Sequence, residues 1–232
     1  MQPDQLKTKI HELNWQGVTL DLFSPQDTSS RKRIGPSAFV LQGFAMPYVD
    51  DLLACIHVME QEAAFRHMVT PGGFTMSVAI TNCGKLGWTS NRHGYRYSVT
   101  DPDTGQPWPH MPSTFSRLAR EAAAASGFAD FEPDACLINR YLAGSRLSLH
   151  QDKNERDFSA PIVSVSLGIP AIFLFGGHER SHKTMRVSLQ HADVVVWGGE
   201  DRLRYHGVMP LKESFHPLLG GQRFNLTFRK AG

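Results

Sequence analysis

The sequence predicts an α+β protein, mainly β, with a jelly-roll core (a double-stranded β-helix) and N-terminal helices packed on one of its sheets. From residue 135 onward, short apolar or alternating runs are separated by Gly, Pro, Asn and Asp, which is typical of an all-β sandwich or barrel. Helical patterns occur only before this region, and helices that precede a run of strands favour packing on one sheet. The predicted strands are residues 135–142, 161–168, 171–175, 185–189, 193–197 and 223–229.

Two amphipathic helices are predicted before the strands. The first runs from Pro47 to Phe65, because proline suits the first turn of a helix and apolar residues recur at helical spacing after it. The second covers residues 113–126, and Gly127 is the expected residue just beyond its C-terminal end.

The segment between the helices, residues 67–112, has many Gly and Pro residues, two tryptophans and little periodicity. Long irregular segments inside a compact domain are often binding loops or lids. We therefore expect a recognition lid over residues 67–112. The alternative is a set of hairpins that pack their aromatic side chains in the core.

Composition and charge exclude several classes of protein. The 41% hydrophobic and 20% charged residues are ordinary for a soluble globular domain, and no apolar run is long enough for a membrane span. Cys55, Cys83 and Cys136 lie far apart, which argues against a disulfide framework or a CxxC zinc site and leads us to expect a cytoplasmic location. The net charge of +2 restricts any nucleic-acid contact to a local patch.

The expected organisation is a poorly ordered N-terminal extension, residues 1–33, followed by a single domain, residues 34–232. Residues 24–33 are polar and turn-rich, which favours a loop or linker. Within the domain, residues 135–232 would form the jelly-roll core.

His150-Gln151-Asp152 is the first candidate for a metal site. Residues two apart on a strand project to the same face, and an imidazole with a carboxylate suits Fe(II) in a two-His-one-carboxylate triad. The spacing alone is a poor signal, because His191-Ala192-Asp193 repeats it. The second motif lies between two apolar runs and is better interpreted as a hairpin turn.

The C-terminal strand, Arg223–Arg229, alternates polar and apolar residues and carries an arginine at each end of its polar face. Arginine forks match carboxylates in bidentate pairs, so this face predicts a dicarboxylate site, although a solvent-exposed polar face is the alternative. The two arginines are about 20 Å apart at a rise of roughly 3.3 Å per residue, so their long side chains must converge. Among the downstream histidines, His206 is best placed to be the third metal ligand, because it lies in a short apparent strand shortly before Arg223.

An HxD motif, then a distant His, then an Arg-x-Asn-x-x-x-Arg strand resembles the Fe(II)/2-oxoglutarate dioxygenases. Longer stretches resemble the bacterial AlkB nucleic-acid dealkylases, and the resemblance extends from about residue 65 to residue 230. These stretches are Val69–Ser77, Thr81–Gly84, Asn139–Tyr141, Leu147–Lys153, Ser164–Gly168, Asp193–Glu200 and Arg223–Arg229.

The resemblance implies Fe(II), 2-oxoglutarate and O2 as cofactors and co-substrate. It implies that His150, Asp152 and His206 hold the iron. Arg223, with Tyr141 and Asn225, would bind the distal carboxylate of 2-oxoglutarate. Arg229 would hold the carboxylate next to the metal, and Asn139 would support the cofactor.

The resemblance also implies oxidative removal of alkyl groups from bases of the 1-methyladenine and 3-methylcytosine type, with release of aldehyde, succinate and CO2. The substrate would be alkylated DNA, with RNA as a second candidate, bound as a single strand or a flipped base by a monomer with no membrane partner. The damaged base would lie between Trp88 and His150. The further substrate contacts implied are Thr70, Tyr95, Arg96, Tyr97, Asn154 and Arg180.

One departure from the family concerns Asn154, because bacterial members often carry Asp there. We expect weaker discrimination in favour of cationic bases as a result. Two other functions stay open from the sequence: a related oxygenase acting on protein side chains or small molecules, and a binding protein with a structural metal site.

Overall fold

The computed structural model describes residues 30–232, which contain fourteen strands and two α-helices. The helices are α1 (Val49–Glu62) and α2 (Ser113–Ala125). The first strands are β1 (Arg31–Gly35), β2 (Ala38–Leu41), β3 (Arg66–Val69), β4 (Thr75–Gly84), β5 (Gly87–Asn91) and β6 (Gly94–Ser98). The later strands are β7 (Ala135–Tyr141), β8 (Leu147–His150), β9 (Ile162–Gly168), β10 (Ala171–Phe175), β11 (Met185–Leu189), β12 (Val194–Trp197), β13 (His206–Val208) and β14 (Arg223–Arg229).

Two antiparallel sheets form the core, which confirms the predicted jelly-roll. The larger sheet has eight strands in the order β1-β2-β12-β9-β14-β7-β4-β3, and the smaller has four in the order β11-β10-β13-β8. Apolar side chains of both sheets meet in two buried clusters, one around Phe173 and Trp197 and the other around Ile80 and Tyr141. The six strands predicted after residue 135 are all present, within one residue at each end.

Both helices pack on the outer face of the large sheet. Leu52 and Ile56 of α1 and Phe115 of α2 share one buried cluster with Leu226 and other residues of the central strands. The first helix ends at Glu62, three residues before the predicted end, because Ala63 is already extended. The second ends close to prediction, and Gly127 has the left-handed φ of +93° that was expected beyond its end. No helix among residues 30–232 is long and apolar enough to cross a membrane.

Only part of the lid expected over residues 67–112 is separate from the two core sheets. Strands β3 and β4 belong to the eight-stranded sheet, with β3 at its edge, and only β5 and β6 form a separate two-stranded hairpin. Its base is fixed by Arg66, which pairs with both carboxylate oxygens of Asp101 at 2.7 Å. Trp108 also donates from its indole nitrogen to the carbonyl of Ser98 at 3.0 Å. The alternative of hairpins with packed aromatic residues therefore describes much of residues 67–112.

The N-terminal boundary predicted at residue 33 is also wrong. Residues 31–33 belong to β1, which pairs with β2 and so extends the large sheet. Two contacts stabilise β1. One is its hydrogen-bonded ladder to β2, and the other is the guanidinium of Arg31, which lies 3.8 Å from the centre of the Phe39 ring. Residues 1–29 of the expected extension lie outside the described part of the chain.

The second HxD motif forms a turn, as predicted. Ala192 has a φ of +67°, and the Asp193 carboxylate accepts hydrogen bonds from the backbone nitrogens of Gly43 at 2.9 Å and Gln190 at 2.8 Å. His191 accepts a bond from the backbone nitrogen of Gly168 through Nδ1. This histidine and aspartate therefore stabilise the junction of β11 and β12.

We expect Asp193→Ala to lower the free energy of unfolding by about 1.5–3 kcal/mol, because the backbone N–H groups of Gly43 and Gln190 lose a charged acceptor. Urea unfolding of metal-free protein measures this, with Asp193→Asn as the milder control. Affinity for divalent metal should stay that of the unmodified protein. Loss of metal binding in folded Asp193→Ala would contradict the assignment of this motif to a turn.

Candidate active site

His150, Asp152 and His206 meet at the open end of the small sheet. His150 ends β8 and His206 begins β13, and the two residues are direct partners in the antiparallel register. Nε2 of His150 and Nε2 of His206 lie 3.6 and 3.5 Å from the two oxygens of the Asp152 carboxylate. The ligand atoms of all three lie within 4.8 Å of one another. Two imidazoles and one carboxylate are the donor set that suits Fe(II) with open coordination positions.

Backbone carbonyls orient both imidazoles. Nδ1 of His150 lies 2.9 Å from the carbonyl oxygen of Ser148, and Nδ1 of His206 lies 3.0 Å from that of Arg204. A carbonyl can only accept, so each Nδ1 carries the proton and each Nε2 keeps its lone pair for a metal. The local structure therefore selects the metal-binding tautomer of both rings.

The electrostatics of the cluster also suit a cation. Burial, and then the nearby His206, lower the pKa of His150 to about 4, so this imidazole is neutral at pH 7. Burial alone would raise the pKa of Asp152, but Arg229 and His206 outweigh it and hold that pKa well below its ordinary value. Both groups are therefore in the protonation state in which they bind metal.

The polar face of β14 is buried between the two sheets, and the alternative of a solvent-exposed face is wrong. Arg223 is 2% exposed, and its guanidinium donates to the Ser166 hydroxyl and lies 4.9 Å from the Tyr141 ring centre. Nε and Nη1 of Arg223, and the Tyr141 hydroxyl, have no hydrogen-bond partner among residues 30–232. Buried donors without partners fit the carboxylate of a bound oxo-acid.

The other arginine of this face, Arg229, contacts the metal cluster, which consists of the three candidate metal ligands His150, Asp152 and His206. Nη2 of Arg229 donates to Asp152 at 2.8 Å, and its Nε lies 3.4 Å from Glu155. Between the two arginines, the amide of Asn139 donates to Asn225 at 3.4 Å inside the barrel. The polar face of β14 therefore has Arg223 at one end, with donors that lack a partner among residues 30–232. At its other end Arg229 is paired with Asp152, a candidate metal ligand.

Comparison with known proteins identifies the family. A model of the 2OG-Fe(II) oxygenase superfamily matches residues 38–229. The chain belongs to this superfamily.

Individual relatives agree with that result. The chain is 57% identical over 212 residues to the alpha-ketoglutarate-dependent dioxygenase AlkB of Salmonella typhimurium, covering 91% of this chain and 98% of that protein. It is 34% identical over 124 residues to the nucleic acid dioxygenase ALKBH1 of Homo sapiens, covering 53% of this chain and 32% of that protein. A solved structure titled "The structure of OsALKBH1" superposes with a TM-score of 0.76 at 30% identity, covering 87% of this chain and all of that one.

This AlkB-type dioxygenase therefore depends on Fe(II), 2-oxoglutarate and O2. The residues present fit both groups, because the His-Asp-His cluster provides the metal donors and the partnerless atoms at Arg223 and Tyr141 provide a carboxylate site. The cofactors expected from the sequence are confirmed.

The β5–β6 hairpin brings aromatic side chains close to this site. Trp88 and Tyr95 stack with ring centres 5.4 Å apart, and Trp88 packs against the cluster that contains Tyr141. The Tyr97 hydroxyl donates to Glu155 at 2.6 Å, and Glu155 in turn lies beside Arg229. The hairpin is therefore joined to Asp152 by three successive polar contacts, through Glu155 and Arg229.

The remaining expected substrate residues are more scattered. Arg180 donates to the carbonyl of Leu149 at 2.7 Å, which places it beside His150, and Asn154 is exposed just after the metal cluster. The hydroxyl of Thr70 accepts the backbone N–H of Phe74 and so closes the β3–β4 turn. Arg96 is exposed and, by strand alternation, faces away from Tyr95 and Tyr97. The structure does not bring Arg96 together with the hairpin aromatics.

The sequence reasoning missed two buried charged residues, Glu155 and Arg202. Both lie in or beside segments without helical or strand periodicity, so no pattern pointed to them. Arg202 is 3% exposed and Glu155 is 6% exposed. Buried charges are rare unless they are paired, and the two side chains approach each other to 3.2 Å.

The lowered pKa of His150 predicts a pH dependence of stability. In the unfolded chain this histidine has the ordinary pKa near 6.5, so between pH 6.5 and pH 4 the unfolded state binds a proton that the folded state does not. The free energy of unfolding of the metal-free protein should therefore fall as the pH drops through this window. Urea unfolding at pH 7, 6 and 5 measures it, and His150→Gln should show a shallower slope. Equal slopes in both proteins would refute the expectation.

Proposed function

We propose that this dioxygenase removes alkyl groups from N-alkylated nucleobases, of the 1-methyladenine and 3-methylcytosine type, by oxidising the alkyl carbon. The observation that carries the proposal is the stacked pair of Trp88 and Tyr95 on a hairpin connected to the iron-binding cluster through Tyr97 and Glu155. Aromatic faces bind bases by stacking, with about 1–3 kcal/mol per base. The human relative named as a nucleic acid dioxygenase supports the same substrate class.

We propose the following residue roles, which the geometry supports. His150, Asp152 and His206 would hold Fe(II). Arg223 and Tyr141 would bind the distal carboxylate of 2-oxoglutarate, and Arg229 would hold the carboxylate near the metal. Asn139 and Asn225 support this face through the bond between their amides and through Asn225, which donates to Ser164 at 2.7 Å.

When bound, the iron supplies, with 2-oxoglutarate and O2, the oxidising power for hydroxylation of the alkyl carbon, and 2-oxoglutarate is converted to succinate and CO2. The hydroxylated N-alkyl group then breaks down to an aldehyde and the unmodified base. The chain's own residues position the reactants: Arg223 fixes one end of the oxo-acid, and the β5–β6 hairpin fixes the base. The buried Arg223 can offer the oxo-acid carboxylate a nitrogen that has no partner among residues 30–232.

The base itself must leave the duplex or be unpaired, because an iron at the end of the small sheet is out of reach of a stacked base. We propose that Trp88 stacks on one face of this base and that His150 lies against the other. An alkylated base with a positive charge gains further attraction from the aromatic faces of the hairpin. Tyr95, Tyr97 and Arg180 would contact the same strand, with Thr70 and Asn154 at its edges and Arg96 on the outer face of the hairpin.

A dioxygenase acting on protein side chains or small molecules would share the iron and oxo-acid residues. The stacked aromatic pair favours a nucleobase over these substrates. A purely structural metal site is disfavoured by the Arg223 donors that have no partner among residues 30–232, because they suit the carboxylate of a bound oxo-acid. We further propose a monomer that works in the cytoplasm, in keeping with three free cysteines within the described residues.

Aerobic incubation with Fe(II), 2-oxoglutarate and oligonucleotides that carry 1-methyladenine or 3-methylcytosine tests the function. We expect loss of the methyl group with one formaldehyde per succinate, and no turnover in His150→Ala, which lacks an iron ligand. DNA and RNA oligonucleotides, single- and double-stranded, define the preferred substrate. Succinate formation without methyl loss on any of them would favour an oxygenase for another substrate class.

Asn154 predicts the relative rates on charged and neutral bases. We expect Asn154→Asp to raise the ratio of kcat/KM for cationic 1-methyladenine over neutral 3-methylthymine by roughly fivefold, since an exposed charge pair contributes about 1 kcal/mol. Asn154→Ala, which adds no charge, serves as the control and should leave the ratio near that of the unmodified protein. An unchanged ratio in Asn154→Asp would show that this position does not contact the base.

A further inference from the structure

Three consecutive residues, segment 202–204, contact two of the three candidate metal ligands, Asp152 and His206, and also Gln151 between His150 and Asp152. This segment follows a short 3₁₀ helix, Gly199–Asp201, and belongs to no strand. Its contacts are Arg202 Nη1 to the carbonyl of Asp152 at 2.7 Å, Gln151 Nε2 to the carbonyl of Leu203 at 2.6 Å, and His206 Nδ1 to the carbonyl of Arg204 at 3.0 Å.

Arg202 makes the most extensive set of these contacts. Besides the carbonyl of Asp152, its Nε donates to the carbonyl of Ala160 at 3.0 Å, and its Nη2 lies 3.2 Å from the Glu155 carboxylate. One buried guanidinium therefore holds both ends of residues 152–160, a stretch without helix or strand. The rigid guanidinium directs Nε and Nη1 at two carbonyls while Nη2 forms an ion pair with Glu155, a fixed arrangement that a flexible ammonium group does not have.

The segment that carries Arg202 is itself firmly held. Asp201 is fully buried, and its carboxylate accepts the backbone N–H of Ser37 at 2.7 Å and pairs with Arg204. Asp201 thus links the β1–β2 turn to the 3₁₀ helix, and the two together support Arg202. From this support the Arg202 side chain contacts residues 152–160, which form no helix or strand.

Glu155 extends the contact in the other direction. Its carboxylate accepts the Tyr97 hydroxyl at 2.6 Å and lies 3.4 Å from Nε of Arg229. Arg202 therefore holds the Glu155 carboxylate, which contacts both the β5–β6 hairpin, through Tyr97, and Arg229. Removing the guanidinium would take a cation away from this buried carboxylate and a donor away from the carbonyls of Asp152 and Ala160.

We propose that Arg202 is a positioning residue that directs the Asp152 carboxylate toward the iron and keeps Glu155 between the hairpin and Arg229. Arg202 belongs neither to the HxD motif nor to the arginine-bearing strand β14. The proposal rests on the assignment of His150, Asp152 and His206 as iron ligands, and it is independent of which base the enzyme repairs. It predicts weaker metal binding when Arg202 changes, because partners that orient metal ligands typically contribute about 10–100-fold in affinity.

The test uses full-length, metal-free protein titrated with Co(II), which reports both affinity and coordination geometry through its visible spectrum. The variants are Arg202→Gln, which loses the charge, and Arg202→Lys, which keeps it without the fork. Arg140→Lys is the matched control, because Arg140 also forms an ion pair, with Glu60 at 2.7 Å, but on the helix side of the large sheet. Thermal unfolding of each protein shows which variants are folded.

We expect Co(II) affinity to fall roughly 10–100-fold in both Arg202 variants, with an altered Co(II) spectrum, and to stay unchanged in Arg140→Lys. Unaltered affinity and spectrum in a folded Arg202 variant would overturn the proposal. Failure of both Arg202 variants to fold would overturn it as well, since the residue would then act only on overall stability. His150→Ala separates the two assignments: if it binds Co(II) like the unmodified protein, the iron-ligand assignment itself fails.

Discussion

Two arginines buried between the sheets, Arg223 and Arg229, set the main constraint on this structure. A charge that leaves water without a partner is very unfavourable, so each guanidinium requires an anion inside the barrel. Asp152 and Glu155 satisfy Arg229 from within the chain. Arg223 donates one bond to Ser166, and its Nε and Nη1 have no partner among residues 30–232, so this part of the barrel interior suits a carboxylate from outside the chain.

The same constraint links the cofactor site to the metal site. The Asp152 carboxylate accepts a hydrogen bond from Arg229 and also faces the two histidines. The negative charge that stabilises Arg229 is therefore the same charge that would bind iron. The low pKa of Asp152 has the same origin, because Arg229 outweighs the effect of burial. Residues 151–161 follow β8 without regular structure, and side chains rather than a backbone ladder hold them. Such irregular backbone at a site depends on buried polar contacts for its shape.

The fold could be predicted where one face of a strand or helix is polar and the other is not. Strand β14 and helix α2 show clean alternation or helical spacing, and their predicted ends were correct within one residue. Strand β4 was assigned to a lid because residues 78–83 are buried without interruption, and a central strand covered on both faces loses the period of two. Strand β1 was missed because its polar residues resemble a linker, and only its pairing with β2 makes it a strand.

The sequence by itself determined the donor set of the site: an HxD pair, a later histidine and a strand with an arginine at each end. This was possible because side chains two residues apart on a strand share a face, so the spacing indicates which of them can act together. Tertiary structure decided what lies opposite that face. It placed His206 beside His150 while Asp193 became a turn residue, and it turned the polar face of β14 inward. It also brought Arg202 to Asp152 across 50 residues, a contact that no local pattern can specify because it depends on how the loops at the open end of the barrel pack together.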